Sequence, residues 1–224
     1  MKYLAFIVLV GCGRLGFAPS AGADDDAQSP IDMLTDTPSD TRVDLDGLFA
    51  GCMHETFDVL GPEWQTFGDM NTAENGVLRS EIQGPLGSGS WIQQRASRSM
   101  LGWTTILQVV QPCAQVNTNV GIGWHGALGP AHLSIVQGQL RLDSYTGGIV
   151  QDAYDPVDDR WLRLRESNGL LWGATSPDGV TWNEFGAVSF TGSDVFVDMG
   201  AEASLITVNP DFALFDDYIE CPPS

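Results

Sequence analysis

Three histidines, four cysteines and 29 Asp and Glu are the side chains available for acid–base, nucleophilic or metal work. His54, His125 and His132 lack the spacing of a ligand pair on one element, and no two cysteines stand as Cys-x-x-Cys. No Gly-x-Ser-x-Gly run marks a nucleophile elbow. Glycosidic cleavage needs two carboxylates converging on one bond, which on a strand means acids at i and i+2 or i+4 of one face. Between Ile82 and Leu142 there is no acidic residue at all, and the Asp155, Asp158 and Asp159 cluster sits beside Pro156 in a loop. Non-catalytic work is the expectation, with hydrolysis the weaker alternative.

Recognition chemistry is better supplied. Trp91, Gln93 and Arg95 share one period-two face. His125 opposes Ile122 and Trp124 with Gly121 and Gly123, His132 opposes Leu133, and Trp161, Arg163 and Arg165 oppose Leu162 and Leu164. Sugars are held by aromatic platforms with planar hydrogen-bonding groups beside them, so Trp91, Arg95, His125, His132 and Arg163 form a candidate ligand-binding set. The competing reading is a solvated sheet face with the Trp rings packed under loops.

Those alternations require β-strands, because successive side chains leave opposite faces. Candidate strands fall near 55–60, 64–67, 77–83, 90–96, 103–110, 118–124, 131–136, 139–144, 160–166, 170–176, 182–190, 195–199, 202–207 and 213–220. Asn75-Gly76, Gln137-Gly138, Asn168-Gly169 and Asp178-Gly179 mark tight turns between several of them. No 12-residue window carries a helical stripe, so the predicted class is all-β, a sandwich or barrel.

The first residues concern location. Lys2 precedes an apolar run from Tyr3 to Val10, too short to span a bilayer and suited to a signal h-region. Leu9-Val10-Gly11-Cys12 resembles the lipobox of bacterial lipoproteins, which implies a signal peptide at 1–11 and lipidation of Cys12. Gly13 rather than Asp after that Cys favours the outer membrane or cell surface. Cleavage after Ala21-Gly22-Ala23 is the alternative, but it needs a long c-region containing Arg14. Residues 12–41 carry Asp24, Asp25, Asp26, Asp32, Asp36 and Asp40 among Ser, Thr and Pro, the composition of an extended flexible tether. That leaves 42–224 as the domain. With 10 Lys and Arg, the 224-residue chain has a formal charge of −19, which excludes nucleic acid as a partner and leaves the lipid anchor as the route to a membrane.

The domain's motifs resemble a family. Glu55-Thr56-Phe57-Asp58 with Pro62-Glu63-Trp64, then Arg160 to Arg165, Leu170-Leu171-Trp172, and Ser176 to Trp182 are similar to segments of concanavalin A-like lectin/glucanase (laminin G-like) domains. Phe215-Asp216-Asp217-Tyr218 resembles that superfamily's last strand, which lies beside the first. The resemblance implies an antiparallel jelly roll of two stacked sheets, one concave, that binds glycan, hydrolyses it or mediates protein contacts. Its laminarinase-type hydrolases carry Glu-x-Asp-x-x-Glu, a run this sequence lacks. Ser176 to Trp182 also resembles the sialidase Asp-box, but it is one residue short and occurs once, so a hairpin turn is the better reading.

If the terminal strands are neighbours as the resemblance implies, Cys52 and Cys221 would be joined and Cys113 left as the odd thiol, with pairing through Cys113 as the rival. The resemblance also implies a structural calcium between first and last strands, with Glu55, Asp58, Asp216 and Asp217 as hard-oxygen ligands. The expected function is a surface-anchored, non-catalytic module recognising polysaccharide on the concave sheet. The alternative is an envelope protein-interaction or structural lipoprotein.

Overall fold

The inner candidate strands named above are strands, but the one expected at 55–60 is not, since the first strand ends at Glu55, and 204–207 lie outside the described residues. The computed structural model describes residues 47, 49–68, 70–83, 88–115, 117–203 and 210–223. Cys12 and the residues of the tether lie outside that set. Among the described residues fifteen strands follow in chain order: β1 Met53–Glu55, β2 Trp64–Gly68, β3 Met70–Glu74, β4 Val77–Ile82, β5 Gly89–Gln94, β6 Thr104–Gln111, β7 Thr118–Gly126 and β8 Gly129–Val136. After these come β9 Gln139–Ser144, β10 Ile149–Ala153, β11 Trp161–Ser167, β12 Leu170–Ser176, β13 Asn183–Ser189, β14 Phe196–Ala203 and β15 Asp211–Cys221.

The strands form two antiparallel sheets. One runs β13-β12-β11-β6-β15-β4-β3 with β1 added beside β15, and the other runs β10-β9-β8-β7-β14-β5-β2. This is an all-β jelly-roll sandwich of the concanavalin A-like and glucanase type. Asn75-Gly76, Gln137-Gly138 and Asn168-Gly169 join β3 to β4, β8 to β9 and β11 to β12, with both residues of each turn at positive φ. Such turns follow the right-handed strand twist, which is why Asn and Gly stand there.

Leu107, Val109, Leu162, Leu164, Leu171 and Phe215 of the first sheet meet Ile92, Ile122, Trp124, Leu133, Leu142, Val197 and Met199 of the second. The buried Trp124 indole is satisfied by Thr105 Oγ1 at 2.9 Å. A separate small cluster holds Ile106, Trp161 and Ile219 against Trp182 and the Cys52–Cys221 disulfide. That bridge ties the chain ahead of β1 to the end of β15, and β1 pairs with β15 directly.

One difference from the sequence expectation matters for the site. Residues 195–199 and 202–207 were expected to be separate strands, whereas β14 runs unbroken through Gly200 to Ala203. It also lies inside the seven-stranded sheet, between β7 and β5.

Candidate functional site

Val197, Met199 and Ala201 of β14 are buried in the core, so Asp198, Gly200 and Glu202 leave the opposite face. The register extends these positions into rows. Asp143, His132, Gly123, Asp198, Gln93 and Gln65 stand in line across six strands. The adjacent row is Arg141, Ser134, Gly121, Gly200, Trp91 and Phe67, and beyond it Glu202 pairs with Asn119.

Glycines make the floor of this face. A Cβ on Gly123 would meet Asp198 Oδ1 at 2.3 Å and His132 Cδ2 at 2.5 Å, so only glycine lets those two side chains lean together. At Gly121 it would strike the Leu133 carbonyl at 2.2 Å, so no larger residue fits. Over the floor lies a pocket of about 160 Å³, lined by Trp91, Asn119, His132, Ser134, Arg141, Asp143 and Glu202. Sites that enclose a whole small molecule run to roughly 300–1,000 Å³, so a chain-like ligand would lie across this pocket rather than inside it.

The polar groups are tightly coupled. His125 Nε2 lies 2.7 Å from Asp198 Oδ2, and His132 Nε2 lies 3.2 Å from His125 Nε2. The hydrogen bond to Asp198 raises the His125 pKa against the opposing effect of burial. Burial lowers that of His132, and the neighbouring His125 adds to the lowering. Arg141 Nη2 holds Asp143 Oδ2 at 2.7 Å, and Asp143 Oδ1 faces His132 Nδ1 at 3.9 Å. The Trp91 and His132 ring centroids are 6.4 Å apart. Asp198 Oδ1 is buried without a hydrogen-bond partner. Among the described residues, His125, His132 and Asp198 form a group whose donor atoms all lie within 4.8 Å of one another and could hold a metal ion.

The structure places Trp91, His125 and His132 of the expected ligand-binding set on this one face. Arg95 does not join them: it lies past the end of β5 and donates its Nε to the Pro62 carbonyl at 2.8 Å. Arg163 is on β11 of the other sheet, over the Trp182 ring at 4.4 Å, with Glu184 as its ion-pair partner. Cys52 and Cys221 form the disulfide, which leaves Cys113 a free thiol.

The expected calcium ligands are not gathered into a site. Glu55 takes the Phe57 amide and the Trp64 indole, and Asp217 takes His54 Nε2 at 2.6 Å. Asp216 accepts the Asp217 amide at 2.8 Å, while the exposed Asp58 accepts only the Thr56 hydroxyl among the bonds described.

Asp143, Asp198, Glu202 and Arg141 were missed as site residues. The signal for Asp198 and Glu202 was their i, i+4 spacing, hidden when the strand was divided at Gly200.

No family model matches the chain, and no curated protein matches it in sequence. Solved structures do match in fold. A β-1,3-1,4-glucanase (lichenase) derived from a mouse hindgut metagenome superposes with a TM-score of 0.57 at 10% identity, covering 76% of this chain and 99% of that one. Bacillus licheniformis β-glucanase gives 0.60 at 10% identity, covering 77% and 98%. A Crh5 transglycosylase in complex with NAG gives 0.61 at 9% identity, covering 79% and 86%. Identities this low show a shared fold. The enzymes that share it cut or transfer glycosidic bonds, which overturns the expectation of a non-catalytic binding module. The inference from missing carboxylates failed because it searched the middle of the sequence, whereas the acids of the middle of the sheet arrive with β14.

Proposed function

We propose that the protein is a carbohydrate-active enzyme that cleaves or transfers a glycosidic bond of a polysaccharide laid across the outer face of the seven-stranded sheet. The observation that carries this reading is the placement of Asp198 and Glu202 on one face of β14, with side-chain-free Gly200 between them. Two carboxylates flanking a gap are what glycosidic chemistry needs: one protonates the leaving oxygen and the other attacks the anomeric carbon or activates water. Asp198, oriented by His125, takes the nucleophile or base role. Glu202, facing the pocket beside Trp91, takes the acid role. The pair stands without a Glu-x-Asp-x-x-Glu run, so the roles rest on position in the sheet. Trp91 supplies the flat apolar surface on which a sugar ring stacks.

The test is an assay on mixed-linkage β-glucan, laminarin and chitin oligosaccharides, read both as new reducing ends and as transfer to a labelled oligosaccharide acceptor. Wild type should act on at least one of them, and Glu202→Gln and Asp198→Asn should each lose about 10²- to 10⁴-fold. Inactivity of folded wild type on every substrate and in both formats, or full activity of both variants, would overturn the proposal.

The location forms part of the same reading. The Leu9-Val10-Gly11-Cys12 run supports lipidation at Cys12 and an outer-membrane or cell-surface position, with residues 12–41 as the tether that holds the domain over insoluble polysaccharide. Labelled palmitate should enter the wild type and not Cys12→Ser; equal labelling would overturn the anchor. Calcium plays no part in the chemistry of this reading.

A further inference from the structure

We infer that His125, His132 and Asp198 form a binding site for a single transition-metal ion of the zinc class. Two imidazole nitrogens and one carboxylate oxygen, from β7, β8 and β14, converge within 4.8 Å. Metal–nitrogen bonds of about 2.0–2.1 Å in a tetrahedron put neighbouring ligand atoms about 3.3–3.4 Å apart. His125 Nε2 and His132 Nε2 are already 3.2 Å apart. His125 Nε2 and Asp198 Oδ2, at 2.7 Å, need open by only about half an ångström once metal replaces the proton between them.

Three further features belong to a prepared site. Asp198 Oδ1 is buried without a partner, and a carboxylate with an idle oxygen is costly unless something positive or hydrogen-bonding reaches it. Gly123 occupies a place from which a side chain would push His132 and Asp198 apart. With Nε2 turned toward the other ligands, His132 presents Nδ1 to Asp143, and Arg141 fixes Asp143 in turn. A carboxylate behind a ligating imidazole sets the tautomer and strengthens the ligand. Two imidazoles and one carboxylate suit zinc, cobalt or nickel, whereas calcium prefers oxygen ligands throughout. Three protein ligands leave a fourth position for water or another small ligand.

Occupancy has a consequence, which rests on the catalytic role proposed for Asp198. An ion that takes this carboxylate removes it from glycosidic chemistry, so the loaded protein should be the inactive form.

Binding is measured first, on the full-length protein without glycan, by equilibrium dialysis with Zn²⁺ and by the visible d–d bands of Co²⁺. One equivalent should bind, with the intense spectrum of a tetrahedral ion. His125→Gln, His132→Gln and Asp198→Asn should each weaken Zn²⁺ by about a hundredfold or more, Asp143→Asn by about tenfold, and His54→Gln not at all. Circular dichroism establishes that each variant is folded. Failure of the folded wild type to bind either ion, or affinity unchanged in all three ligand variants, would overturn the site. Turnover is measured separately on an accepted glycan: one equivalent of Zn²⁺ should abolish it and a chelator should restore it. Stoichiometric binding with full turnover would overturn the inactivation while leaving the site standing, and a protein inactive on every glycan would still report on the site through Co²⁺.

Discussion

Asp198 reaches His125 diagonally across the β14–β7 pair, two residues along β7 from its register partner Gly123. The directly opposite residue has no side chain, so the carboxylate leans along the strand until its Oδ2 meets the imidazole at 2.7 Å. One absent Cβ thus couples the acid of β14 to both histidines of the neighbouring strands.

That coupling predicts opposite titrations for the two rings. The Asp198 hydrogen bond raises the His125 pKa, so its contribution to stability is full below the unfolded value near 6.5 and disappears as pH rises through the higher folded value. Burial lowers the His132 pKa, so its contribution is present above about 6.5 and is lost as pH falls through the depressed folded value. In the wild type the two windows adjoin, so together they favour a stability maximum near pH 6.5. NMR titration of the imidazole C2 protons should place His125 above and His132 below about 6.5. His132→Gln should give a melting temperature that falls with rising pH between 6 and 8. The reverse order of midpoints would refute the geometry of the pair.

The row that makes this site also explains how far sequence could reach. Turns were legible because Asn75-Gly76 and Asn168-Gly169 state their own backbone conformation, and the inner strands because both sides of the alternation are visible. Strands β3 and β10 were not: Met70 to Glu74 and Ile149 to Ala153 are largely exposed edges that pack only Ala73 and Val150 against the core. Met199-Gly200-Ala201 was taken for a break, yet a Cβ on Gly200 would lie 2.1 Å from the Ser90 carbonyl, so the glycine is there for close strand approach. Asp143, His132 and Asp198 come from separate strands, and no local pattern announces a register across four of them.

The Cys52–Cys221 bridge, at a sequence separation of 169, closes nearly the whole domain into one loop. The chain-entropy model assigns such a closure up to about 4–5 kcal/mol. Cys52→Ser/Cys221→Ser should therefore lower unfolding free energy in urea by several kcal/mol without moving the native far-UV spectrum. Cys113 should behave in the contrary way. Burial and the nearby Asp211 push its thiol pKa up to about 12, so iodoacetamide at pH 8 should leave it unmodified until the protein is unfolded. Rapid native alkylation of Cys113 would show a thiolate that this environment forbids.

Inside the sandwich, Glu220 is fully buried and held by Gln94 Nε2 at 2.7 Å, Tyr218 OH at 2.6 Å and the Arg98 guanidinium. Arg98→Ala strips the only cation named among those partners from a carboxylate that cannot reach water. Breaking a fully buried pair from one side costs about 3–5 kcal/mol, and the 36% exposure of Arg98 with the two surviving hydrogen bonds puts this case at or below the lower end. Urea denaturation of Arg98→Ala should show a loss near 3 kcal/mol, partly recovered when Glu220→Gln is added. A loss below about 1 kcal/mol would mean that Gln94 and Tyr218 alone suffice.

Trp91 and Arg163 separate a working face from a structural one, although sequence placed them in one set. Trp91 lies on the groove face beside Gly200 and His132, partly exposed, and its hydrogen bond from Asn71 Nδ2 goes to the backbone carbonyl, which a side-chain replacement keeps. Trp91→Ala should raise KM for an accepted glycan about tenfold with little change in Tm, because the stacking surface is lost while the core is untouched. Trp91→Phe should recover much of it. Arg163 serves the other sheet, where burial lowers its pKa and its guanidinium covers Trp182 beside Arg165 and Glu184. Arg163→Ala should leave kcat and KM unchanged and lower Tm by a few degrees through lost packing on Trp182. Steady-state kinetics and thermal melts of the three variants decide it. A KM effect from Arg163→Ala with none from Trp91→Ala would move the glycan to the eight-stranded sheet and away from Asp198 and Glu202.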